Sequence, residues 1–141
     1  TWAGELGRTE YRRFAMPWQK RVIEAIQSEG TPVILYVKGS SPFLEEMKHT
    51  GASVLSVDWR IPLSEVTAQV GADTVLQGNL DPTALYAPPD VVSRRTRDLL
   101  DDCGRRTGHI FNLGHGVLPQ TPVESVQALV DTVKAYEYGS L

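Results

Sequence analysis

Cysteine is nearly missing from this sequence: Cys103 alone cannot form an internal disulfide or a multi-thiolate metal site, which fits a reducing compartment. Long apolar runs are missing too. None approaches the ~20 residues that span a bilayer, and the N-terminus lacks the basic-then-apolar layout of a secretory signal, so no membrane partner is expected. Charge of either sign is in little excess, 14 basic against 17 acidic residues for a formal net charge of -3, and it is scattered, which gives no reason to expect nucleic acid. Neither GxGxxG nor GxxxxGK[ST] occurs, so a nucleotide site is poorly supported. A cytoplasmic location is the expectation.

What is present is the composition of one modest globular unit, 41% hydrophobic over 141 residues, with no repeat, low-complexity tract or linker. It begins at Thr1 rather than Met, in Thr1-Trp2-Ala3-Gly4-Glu5-Leu6-Gly7, a small loop-like segment that reads as a truncated start. From Glu10 to Glu29, Phe14, Trp18, Val22, Ile23 and Ile26 recur at helical spacing, with Pro17 near the first turn and Gly30 as a stop. Val33-Ile34-Leu35-Tyr36-Val37 is a continuous β-branched run, the pattern of a parallel strand covered on both faces. Ser41-Pro42 then offers an N-cap and a first-turn proline for a short helix carrying Phe43, Leu44 and Met47.

The alternation continues with Val54 to Asp58 as a strand, Leu63 to Val70 as a helix stopped by Gly71, and Thr74 to Gln77 as a strand. After a loop with Asn79, Asp81 and Pro82 comes a helix from about Asp90 to Asp102, then a strand from His109 to Leu113. Thr121-Pro122-Val123-Glu124 reads as a capping box opening the last helix, with Val126, Leu129, Val130 and Val133 inward. Four strand–helix units preceded by a helix define an α/β fold with parallel strands, either an open doubly wound sheet or part of a (βα) barrel. Periodicity does not choose between them.

In both architectures active sites gather where the strands end. The loops there offer Lys38-Gly39-Ser40-Ser41, Asp58-Trp59-Arg60, Gly78-Asn79-Leu80-Asp81-Pro82 and Gly114-His115-Gly116. A histidine between two glycines lets the backbone approach a ligand while the imidazole serves as acid, base or anion donor; the competing reading is a turn that caps the strand. Asp58 could bind a substrate N–H or hold Arg60, or cap the following turn. Arg94, Arg95, Arg97, Arg105 and Arg106 alternate with Asp98, Asp101 and Asp102 and read as a solvated helix face. His49 and His109 precede strands, and with one cysteine no metal constellation forms, so no metal is assigned.

Gly108 to Gly116, with Pro119 and Thr121-Pro122 after it, resembles the final strand and loop of the uroporphyrinogen decarboxylase family. Thr1-Trp2-Ala3-Gly4, Phe14-Ala15-Met16-Pro17-Trp18, Val57-Asp58-Trp59 and Leu76 to Pro82 resemble it in the same order, so that the likeness covers essentially the whole chain. It implies the C-terminal half of a (βα)8 TIM barrel, residues 1–141 forming a partial barrel domain whose N-terminal half is absent. It also implies removal of carbon dioxide from the four acetate side chains of uroporphyrinogen to give coproporphyrinogen, in haem biosynthesis, without metal or prosthetic group. His115 matches the family's cleft histidine that contacts substrate carboxylate, and Thr1 falls where a serine or threonine hydroxyl reaches one. Asp58 and Asn79 match strand-end positions that organise the barrel mouth.

The family's arginine-rich N-terminal loop, its aspartate that binds the pyrrole N–H groups and its cleft tyrosine have no equivalent here, so the isolated chain is expected to be inactive. The partner it implies is the missing N-terminal half or a second copy of the chain, the family being typically a homodimer; plastid versions of the family leave a plastid location open. Two other readings are a non-catalytic half-barrel that self-associates and a related barrel, the zinc-binding methyltransferases. For the latter, Cys103 lies before a strand, away from any ligand set.

Overall fold

The computed structural model describes residues 2–104 and 108–137; Thr1, Arg105 and Arg106 lie outside them. In chain order the main elements are α1 (Arg8–Glu10), α2 (Met16–Gln27), β1 (Ile34–Tyr36), α3 (Leu44–His49), β2 (Val54–Ser56), α4 (Leu63–Val70), β3 (Leu76–Leu80), α5 (Pro89–Cys103), β4 (His109–Leu113) and α6 (Val123–Ala135). The strands form one parallel sheet in the order β1-β2-β3-β4. A doubly wound sheet reverses its strand order at a switch point, whereas a barrel adds each strand to the same side of the last. The unreversed order selects the barrel.

Register assigns the faces. Leu35, Leu55 and Leu76 are in register on one face and pack with Phe43, Leu44, Met47, Leu63, Val66 and Val70, the core between sheet and helices. Tyr36, Ser56, Gln77 and Ile110 are in register on the other. The Val33–Val37 run is therefore not covered on both faces as its composition suggests: Ile34 is exposed and Tyr36 only half-buried. Ile110 on that inner face is exposed as well, and in a barrel the face lies toward the axis.

Four local expectations change. The chain is helical from Arg8, so Pro17 falls in mid-helix rather than near the first turn; a π-helical segment, Tyr11–Ala15, takes up the break. Proline has no N–H and its ring crowds the carbonyl four residues back, so the backbone widens before it, and the Met16 N–H bonds to the Tyr11 carbonyl. Along the π-helical segment and α2 the Phe14, Trp18, Val22 and Ile26 ridge points outward, Trp18 being 62% exposed, while Tyr11 and Ile23 face the core. Ser41 opens a 3-10 turn, Ser41–Phe43, and its buried hydroxyl has no partner, so it caps nothing. The Thr121 hydroxyl donates back to the Leu118 carbonyl at 2.7 Å, so α6 begins after Pro122 without a capping box.

A fifth change bears on the site: β3 starts at Leu76 and runs through Gly78 and Asn79 to Leu80. A Cβ at Gly78, whose φ is +136°, would stand 2.8 Å from the Val57 carbonyl oxygen, so only glycine lets β3 pass β2 there. A strand reading Leu-Gln-Gly-Asn-Leu has the composition of a loop, which hid its second half.

The N-terminal segment is clamped to α3 by a charge cluster. Arg8 Nε and Arg12 Nε each donate to Glu46 Oε1 at 2.6 Å, and Arg8 also reaches Glu45. The Glu46 side chain is 2% exposed. Its burial alone would raise its pKa, but hydrogen bonds from Arg8, its own backbone N–H and Arg12, with the Arg8 charge, hold it below the ordinary value. A lowered carboxyl pKa gives stability that is complete above the ordinary value and is lost as pH falls through the folded-state value. Glu46→Gln is expected to cost about 1–2 kcal/mol at pH 7 and to flatten the acid limb, as measured by urea melts across that limb.

Candidate functional site

The four strand-exit loops are tied into a closed circuit. Asp58, fully buried after β2, accepts through Oδ2 from the backbone N–H groups of Gly39 (2.5 Å) and Ser40 (3.3 Å), joining the β1 and β2 exits. It also turns its own loop, Oδ1 accepting from Arg60 N at 3.0 Å, and holds Arg60 Nη1 at 2.8 Å. Asn79 Nδ2 donates to the carbonyls of Asp58 (2.8 Å) and Ile61 (2.7 Å), joining β3 to β2. Gly114 N–H donates to the Leu80 carbonyl at 2.8 Å, joining β4 to β3. The Tyr36 hydroxyl donates to the Gly114 carbonyl at 3.0 Å and closes the circuit from β1 to β4. Burial, then the Asp58 charge, raises the Tyr36 pKa against the opposing effect of Arg60, which keeps that phenol a donor.

His115 stands over this ring of loops, exposed, its imidazole edge-on to Tyr36 (centroids 6.1 Å apart) and to Trp59 (6.3 Å). Gly116 N–H donates to its Nδ1 at 2.8 Å. A neutral imidazole accepting at Nδ1 carries its proton on Nε2, so the outer nitrogen is a hydrogen-bond donor. Two clefts meet at His115: one of about 320 Å³ along the inner face with Tyr36, Ser56, Gln77 and Asn112, the other of about 190 Å³ toward Lys38, Trp59, Asp81 and Thr83. An aromatic-walled cleft with an imidazole donor and polar strand residues suits a planar or puckered ring system bearing anionic groups.

Of the residues singled out from sequence, His115 is at the mouth and open to it, Asp58 and Asn79 are beneath it and buried, and Thr1 lies outside the described residues. Arg94, Arg95 and Arg97 lie exposed on α5. His109 begins β4 and its Nε2 bonds to the Gly78 carbonyl at 2.8 Å. Cys103 ends α5, and among the described residues no group of three His, Cys, Asp or Glu side chains could hold a metal. Sequence reasoning missed Tyr36, although strand parity with Ser56 and Gln77 would have placed it on the inner face.

Strand order and register define a segment of a parallel (βα) barrel, with His115 and the Asp58 network at its strand exits. A solved methyltransferase from Methanosarcina mazei superposes with a TM-score of 0.77 over 92% of this chain and 37% of that one, at 22% identity, a likeness of fold alone. The family model described as uroporphyrinogen decarboxylase (URO-D) matches residues 1–136. A uroporphyrinogen decarboxylase from Solibacter usitatus is 45% identical over 96% of this chain and 39% of its own length. One from Sorangium cellulosum is 41% identical over all of this chain and 40% of its own. The chain belongs to the uroporphyrinogen decarboxylase family, and it spans about two fifths of the length of these curated relatives.

Proposed function

We propose that this chain supplies the C-terminal strands and part of the substrate mouth of an enzyme that decarboxylates the four acetate side chains of uroporphyrinogen to give coproporphyrinogen. The observation that carries the reading is the position of His115, in a chain of this family, at the open end of a ring of strand-exit loops with Nε2 free to donate. Loss of carbon dioxide leaves an electron pair on the acetate carbon, and a protonated pyrrole ring accepts it until a proton replaces the lost group. His115 binds a substrate carboxylate from Nε2 and so orients the tetrapyrrole; the Thr1 hydroxyl, outside the described residues, is assigned a second carboxylate contact on the family resemblance alone. Asp58 and Asn79 hold the mouth. No metal or prosthetic group takes part in this reading.

The groups that anchor most of the other carboxylates and stabilise the cationic pyrrole belong, on this reading, to an upstream half. Support comes from the two edges of the sheet. On one side the Phe14, Trp18, Val22 and Ile26 ridge and Ile34 of β1 are exposed; on the other Ile110 of β4 is. Unpaired strand edges and an apolar ridge of this size call for a covering chain. We assign that role to the upstream half. A second copy closing a non-catalytic pseudo-barrel is the other reading these edges favour, and a closed dimer that binds no porphyrinogen is its signature. The purified chain alone, given uroporphyrinogen without oxygen, is expected to release no coproporphyrinogen; turnover by it would contradict the placement of the catalytic groups upstream.

A further inference from the structure

A third cleft, of about 210 Å³, lies beside His115 on the far side of Lys38 and is lined by Gly4, Glu5, Lys38, Gly39 and Arg60. Lys38 also lines the cleft that His115 shares with Trp59, so the two clefts have a wall in common. Its cations come from different strand exits, Lys38 after β1 and Arg60 after β2, and are brought together by Asp58, which binds the Gly39 and Ser40 amides and Arg60 at once. Arg60 is held from two sides: Nη1 on Asp58, and its guanidinium carbon 4.6 Å from the centre of the Trp59 ring. Its side chain is still 46% exposed. A guanidinium has five donors in a rigid fork, so one bond to Asp58 leaves the others for a ligand, and a tethered, stacked fork loses little freedom on binding.

Three backbone N–H groups already satisfy much of the Asp58 charge. Arg60 is held in place by that carboxylate and keeps its remaining N–H donors for a ligand. Lys38, Arg60 and the exposed Glu5 are the charged residues lining this wall, with Asp58 buried behind Arg60. A planar carboxylate matches a guanidinium fork with an ammonium beside it.

We propose that Lys38 and Arg60 form a second carboxylate subsite, next to His115, that takes another peripheral carboxylate of the same polycarboxylic tetrapyrrole. The inference rests on the reading of the mouth as a porphyrinogen site and adds to it a residue pair and a direction in which the ligand lies, from His115 across Trp59 to Arg60.

Fluorescence titration of the 141-residue chain with uroporphyrin, the stable oxidised form of the substrate, tests it. Arg60→Gln and Lys38→Gln are each expected to weaken binding about tenfold, with Arg60→Lys recovering part of the loss and Glu5→Gln binding two- to threefold tighter. The salt dependence of binding should become shallower in both glutamine variants. Arg94→Gln, on the outer face of α5, should bind as the parent does. Lys38→Gln leaves the Asp58–Arg60 pair intact, so a folding defect in Arg60→Gln does not decide the outcome. Unchanged binding in both glutamine variants while His115→Ala binds more weakly would overturn the subsite and leave the porphyrinogen reading standing. An equal loss in Arg94→Gln would overturn it as mere charge attraction. No binding by the parent chain would overturn the subsite as well, whereas the function of the family site is judged separately, by turnover in assembled halves.

Discussion

Asp58→Ala is expected to destabilise the chain by about 3–5 kcal/mol, a large fraction of the stability of a domain this size. The carboxylate is fully buried and serves three backbone N–H groups and one guanidinium. Removing it leaves the buried Ser40 amide and the half-buried Gly39 amide without their acceptor, and an unsatisfied buried donor costs about 1–3 kcal/mol. Arg60, by contrast, can turn to solvent, so its share of the loss is the smaller one. Asp58→Asn keeps one acceptor oxygen and should fall between parent and alanine. Urea melts at neutral pH measure the series; an alanine variant within 1 kcal/mol of the parent would mean that the β1 and β2 exits are held by something other than this residue.

Gly114→Ala should have a still more direct effect on the site. A Cβ there would stand 2.5 Å from the Trp59 backbone nitrogen and 3.0 Å from both the Asp58 carbonyl carbon and Trp59 Cβ. Two of those atoms are backbone, so relief requires the β4 exit loop to move bodily. That movement breaks the Tyr36 contact to the Gly114 carbonyl and shifts the next residue, His115. A displacement of about 1 Å at a positioning residue can cost on the order of a hundredfold in rate. The expected result in the assembled enzyme is a loss of turnover of that order, with a stability loss of about 1–3 kcal/mol from overpacking. Full activity in Gly114→Ala would contradict the tight seating of the His115 loop on the β2 exit.

The alternation of strands and helices was legible because it is local. The helix Leu63–Val70 and its Gly71 stop were bounded correctly to the residue, since apolar spacing and a left-handed glycine at φ +88° are both written in consecutive residues. The His115 loop was legible through its motif. What could not be read depends on partners far apart in sequence. The Tyr36–Gly114 bond spans 78 residues and the Arg8–Glu46 bond spans 38, and nothing in either neighbourhood announces the other. Gly78 and Asn79 look like a turn because their strand conformation is imposed by Val57 and by the Asp58 and Ile61 carbonyls. The outward ridge of α2 misled for a related reason: helical periodicity marks an apolar stripe without saying which chain covers it.

The choice between barrel and doubly wound sheet also lay beyond periodicity and came from strand order alone. Once that order is known, parity places Tyr36, Ser56 and Gln77 on the axis side and the leucines in the core, and the mouth follows.

The central claim is tested most directly by anaerobic turnover of uroporphyrinogen by this chain combined with a polypeptide supplying the upstream part of the Solibacter usitatus relative, the products being separated by carboxylate number. Stepwise loss of carboxylates to coproporphyrinogen, absent from either polypeptide alone, is the predicted result. A demonstrated complex of the two that leaves every carboxylate in place would contradict it.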